Sequence, residues 1–202
     1  MVNDGKKITI IGAGEETTKI STSQVCAFQL QGAGAALDLQ DVTVSVSAAN
    51  ARVIRLVDND NMSFSAANVT FETTTPGGNI GIYARGVWED TSKDIRDGLS
   101  ITLNNWNYVD SSTTVEQYYS FSVGLYMQEF SSLSLTMQEC NVVVDCYAVY
   151  FQEKTAAEVK ISNSKLQGWA AYYASVSYTH LDVYKRQGRW RALRCCLPPR
   201  PS

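Results

Sequence analysis

Apolar and polar residues alternate with a period of two in short runs that return along the chain as far as residue 174. The runs Ile8-Thr9-Ile10, Leu37-Asp38-Leu39, Met62-Ser63-Phe64, Ile101-Thr102-Leu103, Leu135-Thr136-Met137 and Val159-Lys160-Ile161 are each a strand signal. They begin 29, 25, 39, 34 and 24 residues apart. From the second onward each is followed by another strand-like piece: Val42-Thr43-Val44, Ala67-Asn68-Val69, Trp106-Asn107-Tyr108, Cys140-Asn141-Val142 and Ser164-Lys165-Leu166. A third segment recurs at variable distance: Ala27 to Leu30, Val53 to Leu56, Gly81 to Ala84, Gly124 to Met127, Ala148 to Phe151 and Ala170 to Tyr173.

Three short strands per repeat, polar turns and only 4 prolines predict an all-β solenoid of about six coils. Stacking would turn each position of the coil into a ladder along the axis. The pattern resembles the right-handed parallel β-helix of the pectate-lyase-like superfamily over residues 7 to 174. The rival is a β-sandwich, which predicts tight hairpins, whereas Asp97-Gly98 and Pro76-Gly77-Gly78 sit in insertions. Glu89 to Asp97 has no apolar stripe and reads as a solvated loop.

The chain has 202 residues, 45% hydrophobic and 18% charged, with a net charge of −3, which fits a globular domain. No run reaches the roughly 18 apolar residues of a membrane-spanning helix, and the opening Met-Val-Asn-Asp-Gly-Lys-Lys leads into a strand-like run, not the apolar core of an export signal. Val176 to Gln187 back-translates to gtctcttatacacatct followed by its own reverse complement, and resembles the inverted transposon end of a sequencing library. Gly188 to Ser202 then crowds four arginines, Trp190, Cys195, Cys196 and three prolines without periodicity. We therefore expect a β-helix domain over residues 1–174, truncated at its last coil, and a chimaeric, ill-packed tail over 175–202.

Without that tail, 11 basic and 19 acidic residues leave a net charge of −8, which disfavours nucleic acid as a partner. The sole histidine, His180, goes with it, and with His180 every His-dependent relay or metal site. Cys26, Cys140 and Cys146 remain, without zinc spacing, and read as small buried hydrophobes.

In the third segment, alternation points Phe28, Ile54, Ile82, Leu125, Val149 and Ala171 inward, with Leu30, Leu56, Ala84, Met127, Phe151 and Tyr173. The residues between them face out: Gln29, Arg55, Tyr83, Tyr126, Tyr150 and Tyr172. Four coils would thus show a tyrosine column, with Gly81, Gly124, Ala148 and Ala170 on one side and Arg85, Gln128 and Gln152 on the other. Flat rings beside amide and guanidinium groups suit an extended sugar chain, so Tyr83, Tyr126, Tyr150, Tyr172, Arg55, Arg85, Gln128 and Gln152 are the candidate ligand-binding residues. Stacked tyrosines that only stabilise the sheet are the alternative.

The resemblance implies catalytic carboxylates and a Gly-His-Gly motif on the third strand in polygalacturonase-like members. Here the places before Gly81-Ile82, Gly124-Leu125 and Ala148-Val149 hold Asn79 and Ile80, Ser122 and Val123, and Cys146 and Tyr147, with Asp145 the one nearby acid. No catalytic residue is assigned, since glycoside hydrolysis needs two facing carboxylates. Lyase chemistry would need calcium, for which Asp58 and Asp60, or Glu89, Asp90, Asp94 and Asp97, are the acids to consider; neither spacing matches an EF-hand, and no cofactor or metal is assigned. Asn61-Met62-Ser63 and Asn68-Val69-Thr70 are sequons that equally fit β-helix turns, and Gly12-Ala13-Gly14 reads as a turn. The expectation is an extracellular or cell-surface β-helix of the adhesin type, binding polysaccharide or a surface glycan without catalysis and self-associating through open ends. A piece of a polysaccharide lyase or hydrolase and a structural spacer are the alternatives.

Overall fold

The computed structural model describes residues 2, 5–57, 60–86, 96–110, 122–152, 157–174 and 180–183; at 152, 173, 174 and 180–183 it describes the backbone alone. Its strands are β1 (Lys7–Ile11), β2 (Lys19–Thr22), β3 (Phe28–Leu30), β4 (Ala36–Val46), β5 (Arg52–Val57), β6 (Met62–Thr73), β7 (Ile80–Arg85), β8 (Leu99–Asp110), β9 (Val123–Gln128), β10 (Leu133–Gln138), β11 (Asn141–Val143), β12 (Tyr147–Gln152), β13 (Ala157–Ser162), β14 (Lys165–Gln167), β15 (Ala170–Ala174) and β16 (His180–Val183). There is no helix among the described residues.

The strands form two sheets. One runs β1-β4-β6-β8-β10-β13-β16, with β2 beside β4 and β11 between β8 and β14; the other runs β15-β12-β9-β7-β5-β3. From β4 to β16 the chain visits the two sheets in turn, and the pairings within each are parallel. Parallel neighbours cannot be joined by a tight turn, so every connection passes through the opposite sheet. The hairpins of the rival sandwich do not occur among these strands.

Register stacks like positions. Ile8, Leu37, Phe64, Ile101, Leu135 and Val159 form one ladder, and Ile10, Leu39, Ala66, Leu103, Met137 and Ile161 the next. The third repeat thus begins at Phe64, not Met62. A slip of two residues keeps every side chain on its face, so the inward and outward assignment stands. These ladders, from Leu37 to Val159 and from Leu39 to Met137, meet those of the second sheet, Ile54, Ile82, Leu125 and Val149 with Leu30, Leu56, Ala84, Met127 and Phe151, in one core almost wholly excluded from solvent, with Ile10 and Ile161 partly buried against it. Burying each large aliphatic side chain is worth about 1.5–3 kcal/mol.

The first and second sequence segments are continuous in β4, β6 and β8, where the strand bends at a single left-handed residue: Asp41, Asn68 and Asn105, with φ of 54°, 54° and 49°. Asn and Asp tolerate this conformation better than other side-chain-bearing residues. Their side chains also join, Asn68 Nδ2 donating to Asp41 Oδ1 at 2.9 Å and Asn105 Nδ2 to Asn68 Oδ1 at 3.0 Å. Glu139 (φ 57°) and Asn163 (φ 50°) hold the same bend where the strand divides into β10/β11 and β13/β14.

One feature at each end of the first sheet bears on the sequence reading. At the outer strand β1, Ile8 is 39% exposed, although its ladder neighbour Leu37 is 1% exposed, because nothing stacks beyond it among the described residues. At the other end, four residues of the segment read as an ill-packed tail, His180–Val183, pair with β13 as β16. An open strand edge offers unpaired backbone N–H and C=O groups to any extended segment, whatever its side chains.

Candidate functional site

The outer face of the second sheet carries the aromatics. Tyr83, Tyr126 and Tyr150 occupy one register across β7, β9 and β12, as the sequence predicts. Their rings stack nearly parallel: Tyr83 and Tyr126 have centroids 5.3 Å apart and planes 10° apart, Tyr126 and Tyr150 4.9 Å and 10°. These distances follow the strand spacing of roughly 4.8 Å. A phenol ring is wider than that spacing, so neighbouring rings cannot lie flat side by side and must tip up against one another. The column therefore spends much of its ring faces on itself, in place of the flat row expected.

Tyr172 does not join it. β15 pairs with β12 through Tyr147↔Ala170, Val149↔Tyr172 and Tyr150↔Tyr173, so Tyr173 holds the column register. Tyr172 turns to the core, with its ring 5.5 Å from Phe151. The cause is a corner one residue shorter: Val144, Asp145 and Cys146 separate β11 from β12, but only Gly168 and Trp169 separate β14 from β15. A shift of one residue exchanges the two faces of a strand.

The flanking positions also differ. Each strand places two consecutive residues inward, Val53-Ile54, Gly81-Ile82, Gly124-Leu125 and Ala148-Val149, and the first of each pair is skipped in the register. Val53 and Ala148 are fully buried in the core, and a side chain on Gly81 would meet Tyr108 and Trp106. The outward neighbours of the tyrosines are therefore Arg52, Ile80, Val123 and Tyr147 in place of the small residues, while Ala170 takes Tyr147's register. Ile80, Val123 and Cys146 form a small buried cluster under Tyr83, Tyr126, Tyr147 and Tyr150.

Three residues that strict alternation missed extend the site. Tyr147 lies 5.0 Å from Tyr150, and Trp169 meets Tyr147 edge-on at 5.7 Å, which carries the aromatic run around the short corner. At the opposite end the Arg52 guanidinium lies 5.5 Å from the Tyr83 ring centre, within cation–π reach. Its Nη1 donates to the carbonyls of Asn50, Ala51 and Gly78 at 2.9, 3.0 and 2.8 Å. The tyrosine recurring between two inward residues of the third segment was legible; the one-residue bend that brings Tyr147 outward was not.

The polar candidates stand beside the column. Gln128, expected to face outward, is buried (7% exposed), with its Oε1 accepting the phenol hydrogen of Tyr126. Arg85 Nε is 3.2 Å from Glu129 Oε2, and Arg55 Nη1 donates to Gln29 Oε1 at 3.4 Å. Gln152 ends β12, with its side chain outside the described residues. Burial, then the neighbouring Tyr150 and Tyr83, push the Tyr126 phenol up to about 12. Burial pushes the Cys146 thiol up to about 11 and lowers the Arg52 pKa. Arg85 goes the other way: burial opposes its charge, but Glu129 and Tyr83 outweigh it.

Among the described residues no three His, Cys, Asp or Glu side chains gather as a metal site. Asp58, Glu89, Asp90 and Asp94 lie outside the described residues. Asp60 and Asp97 serve a turn, Asp97 N–H donating to Asp60 Oδ1 at 2.8 Å while Ser131 donates to the Asp97 carboxylate. Asp145 receives a hydrogen bond from Trp169 N–H at its carbonyl, 2.9 Å, and donates its own N–H to Ser122 Oγ at 2.8 Å. The Asn68 sequon amide is occupied by the bend ladder. A groove of about 770 Å³ on the first sheet, lined by Ser63, Ser100, Ser134, Glu158 and Lys160 among others, has no aromatic lining. No family model, no curated protein and no solved structure matches this chain.

Proposed function

We propose that this chain winds as a parallel β-helix and holds an extended polysaccharide along the outer face of its second sheet, without chemical turnover. The alternate visits to two parallel sheets and the in-register ladders support the winding. The observation that carries the binding reading is the unbroken aromatic run Tyr83–Tyr126–Tyr150–Tyr147–Trp169, bordered by Arg52, Arg85 and Gln128. Phenol groups recurring at the spacing of the strands, beside the guanidinium groups of Arg52 and Arg85, are of the kind that meets sugar hydroxyls. A protein with this face acts where polysaccharide is met, outside the cell or on its surface.

A glycan array probed with the wild type, Tyr126→Ala and Tyr150→Ala tests it. Binding by the wild type that both variants weaken agrees with the reading; equal binding by all three refutes it. A second reading, a spacer without ligand, is favoured by the ring faces the tyrosines spend on one another. That reading predicts no bound glycan and a loss of stability in the same variants.

A further inference from the structure

Trp169 differs from every other member of the aromatic run. It is 62% exposed, whereas Tyr83, Tyr126, Tyr147 and Tyr150 are half-buried and pack over Ile80, Val123 and Cys146. The column tyrosines spend ring faces on their neighbours, but among the described residues the one ring contact of the indole is edge-on with Tyr147, which takes up at most one edge or one face. The backbone beneath it is fixed. Trp169 N–H donates to Asp145 O at 2.9 Å and Ala170 N–H to Cys146 O at 2.9 Å, on either side of the peptide that carries the indole. Gly168 lets this corner close: a Cβ there would lie 2.8 Å from Cys146 O. The two-residue corner that turns Tyr172 inward thus also sets a large aromatic side chain, on anchored backbone, at the end of the aromatic run.

We propose that Trp169 is the stacking subsite for one pyranose ring of the chain lying along the column, an inference that rests on the polysaccharide reading above. The C–H face of a pyranose is apolar and of a size with an indole, while its equatorial hydroxyls leave the ring plane toward donors and acceptors at the rim. The exposed indole supplies the first contact and the phenol groups of the neighbouring column the second. The sugar chain then runs along the stack from Trp169 toward Arg52, with its ring-stacked residue at the Trp169 end.

The test is retardation of the full chain in native gels containing hydroxyethyl cellulose, xylan or polygalacturonate, with Trp169→Ala, Trp169→Phe and Tyr126→Ala beside the wild type. We expect Trp169→Ala to weaken retention about tenfold, a loss of about 1.4 kcal/mol, and Trp169→Phe to restore most of it. Circular dichroism of the two Trp169 variants should match the wild type, since Trp169 is mostly exposed. The retarding polysaccharide should also shield tryptophan emission from acrylamide in the wild type but not in Trp169→Ala. Equal retardation of wild type and Trp169→Ala, with Tyr126→Ala weakened, overturns this inference and leaves the column reading in place. No retardation of the wild type by any of the three overturns both. A concentration-dependent oligomer in sedimentation that Trp169→Ala dissociates, with no polysaccharide effect, assigns the indole to a contact between copies and overturns it as well.

Discussion

Removing the middle ring of the column measures how much of it is structure. Tyr126 stacks on Tyr83 at 5.3 Å and on Tyr150 at 4.9 Å, and donates its phenol hydrogen to Gln128. Each aromatic pair is worth about 0.5–1.5 kcal/mol beyond area burial, and a hydrogen bond about 0.5–1.5 kcal/mol. Tyr126→Ala should therefore cost about 2–4 kcal/mol. A double-mutant cycle isolates the stacking share. Urea unfolding of Tyr83→Ala, Tyr126→Ala and the double variant should give a coupling energy of about 0.5–1.5 kcal/mol. The same cycle for Tyr83 and Tyr150, which no ring contact joins directly, should give about 0.3 kcal/mol or less. Equal couplings in the two cycles would refute stacking as the bond between rungs, and a near-zero coupling in both would mean that the rings are neighbours by register alone.

Three further outcomes follow from the same geometry. Glu139→Asn puts a residue suited to the left-handed bend (φ 57°) where Glu now stands, and should raise stability by about 1 kcal/mol, seen as a melting point about 2–4 °C higher. Gly124→Ala should lower it by about 1–3 kcal/mol, because the new Cβ would lie 2.3 Å from Ala148 O and 2.6 Å from Val142 Cγ1 inside a packed core; unchanged urea unfolding would contradict the inward bend. The Tyr126 phenol, raised to about 12 against an unfolded value near 10, favours the fold while neutral. Its contribution is thus complete below pH ~10 and is lost as pH rises through about 12. A late phenolate step in ultraviolet difference absorbance should vanish in Tyr126→Phe.

The parallel stack was legible because parallel ladders repeat a face, and a face survives errors that are even. Placing the third repeat at Met62 in place of Phe64 was wrong by two residues, yet put the same side chains inside. The bends at Asn68 and Asn105 were legible only as polar turns. Nothing in the alternation says that the strand continues through them, since a left-handed residue changes direction without ending the ladder.

What escaped the sequence was parity. The core needs Gly81-Ile82 and Gly124-Leu125 both inward, because Trp106, Tyr108 and Val142 fill the space opposite and leave room for no side chain at the first position. That packing lies across the interior, between segments far apart in the chain, and no local period records it. The same holds at the last corner, where losing one residue between β14 and β15 exchanges Tyr172 for Tyr173 in the register and leaves Trp169 at the turn. A tyrosine repeat read by alternation alone finds the column but misplaces its end. That end holds the exposed Trp169, so corner length, more than the tyrosine motif, decides which aromatic stands most in solvent.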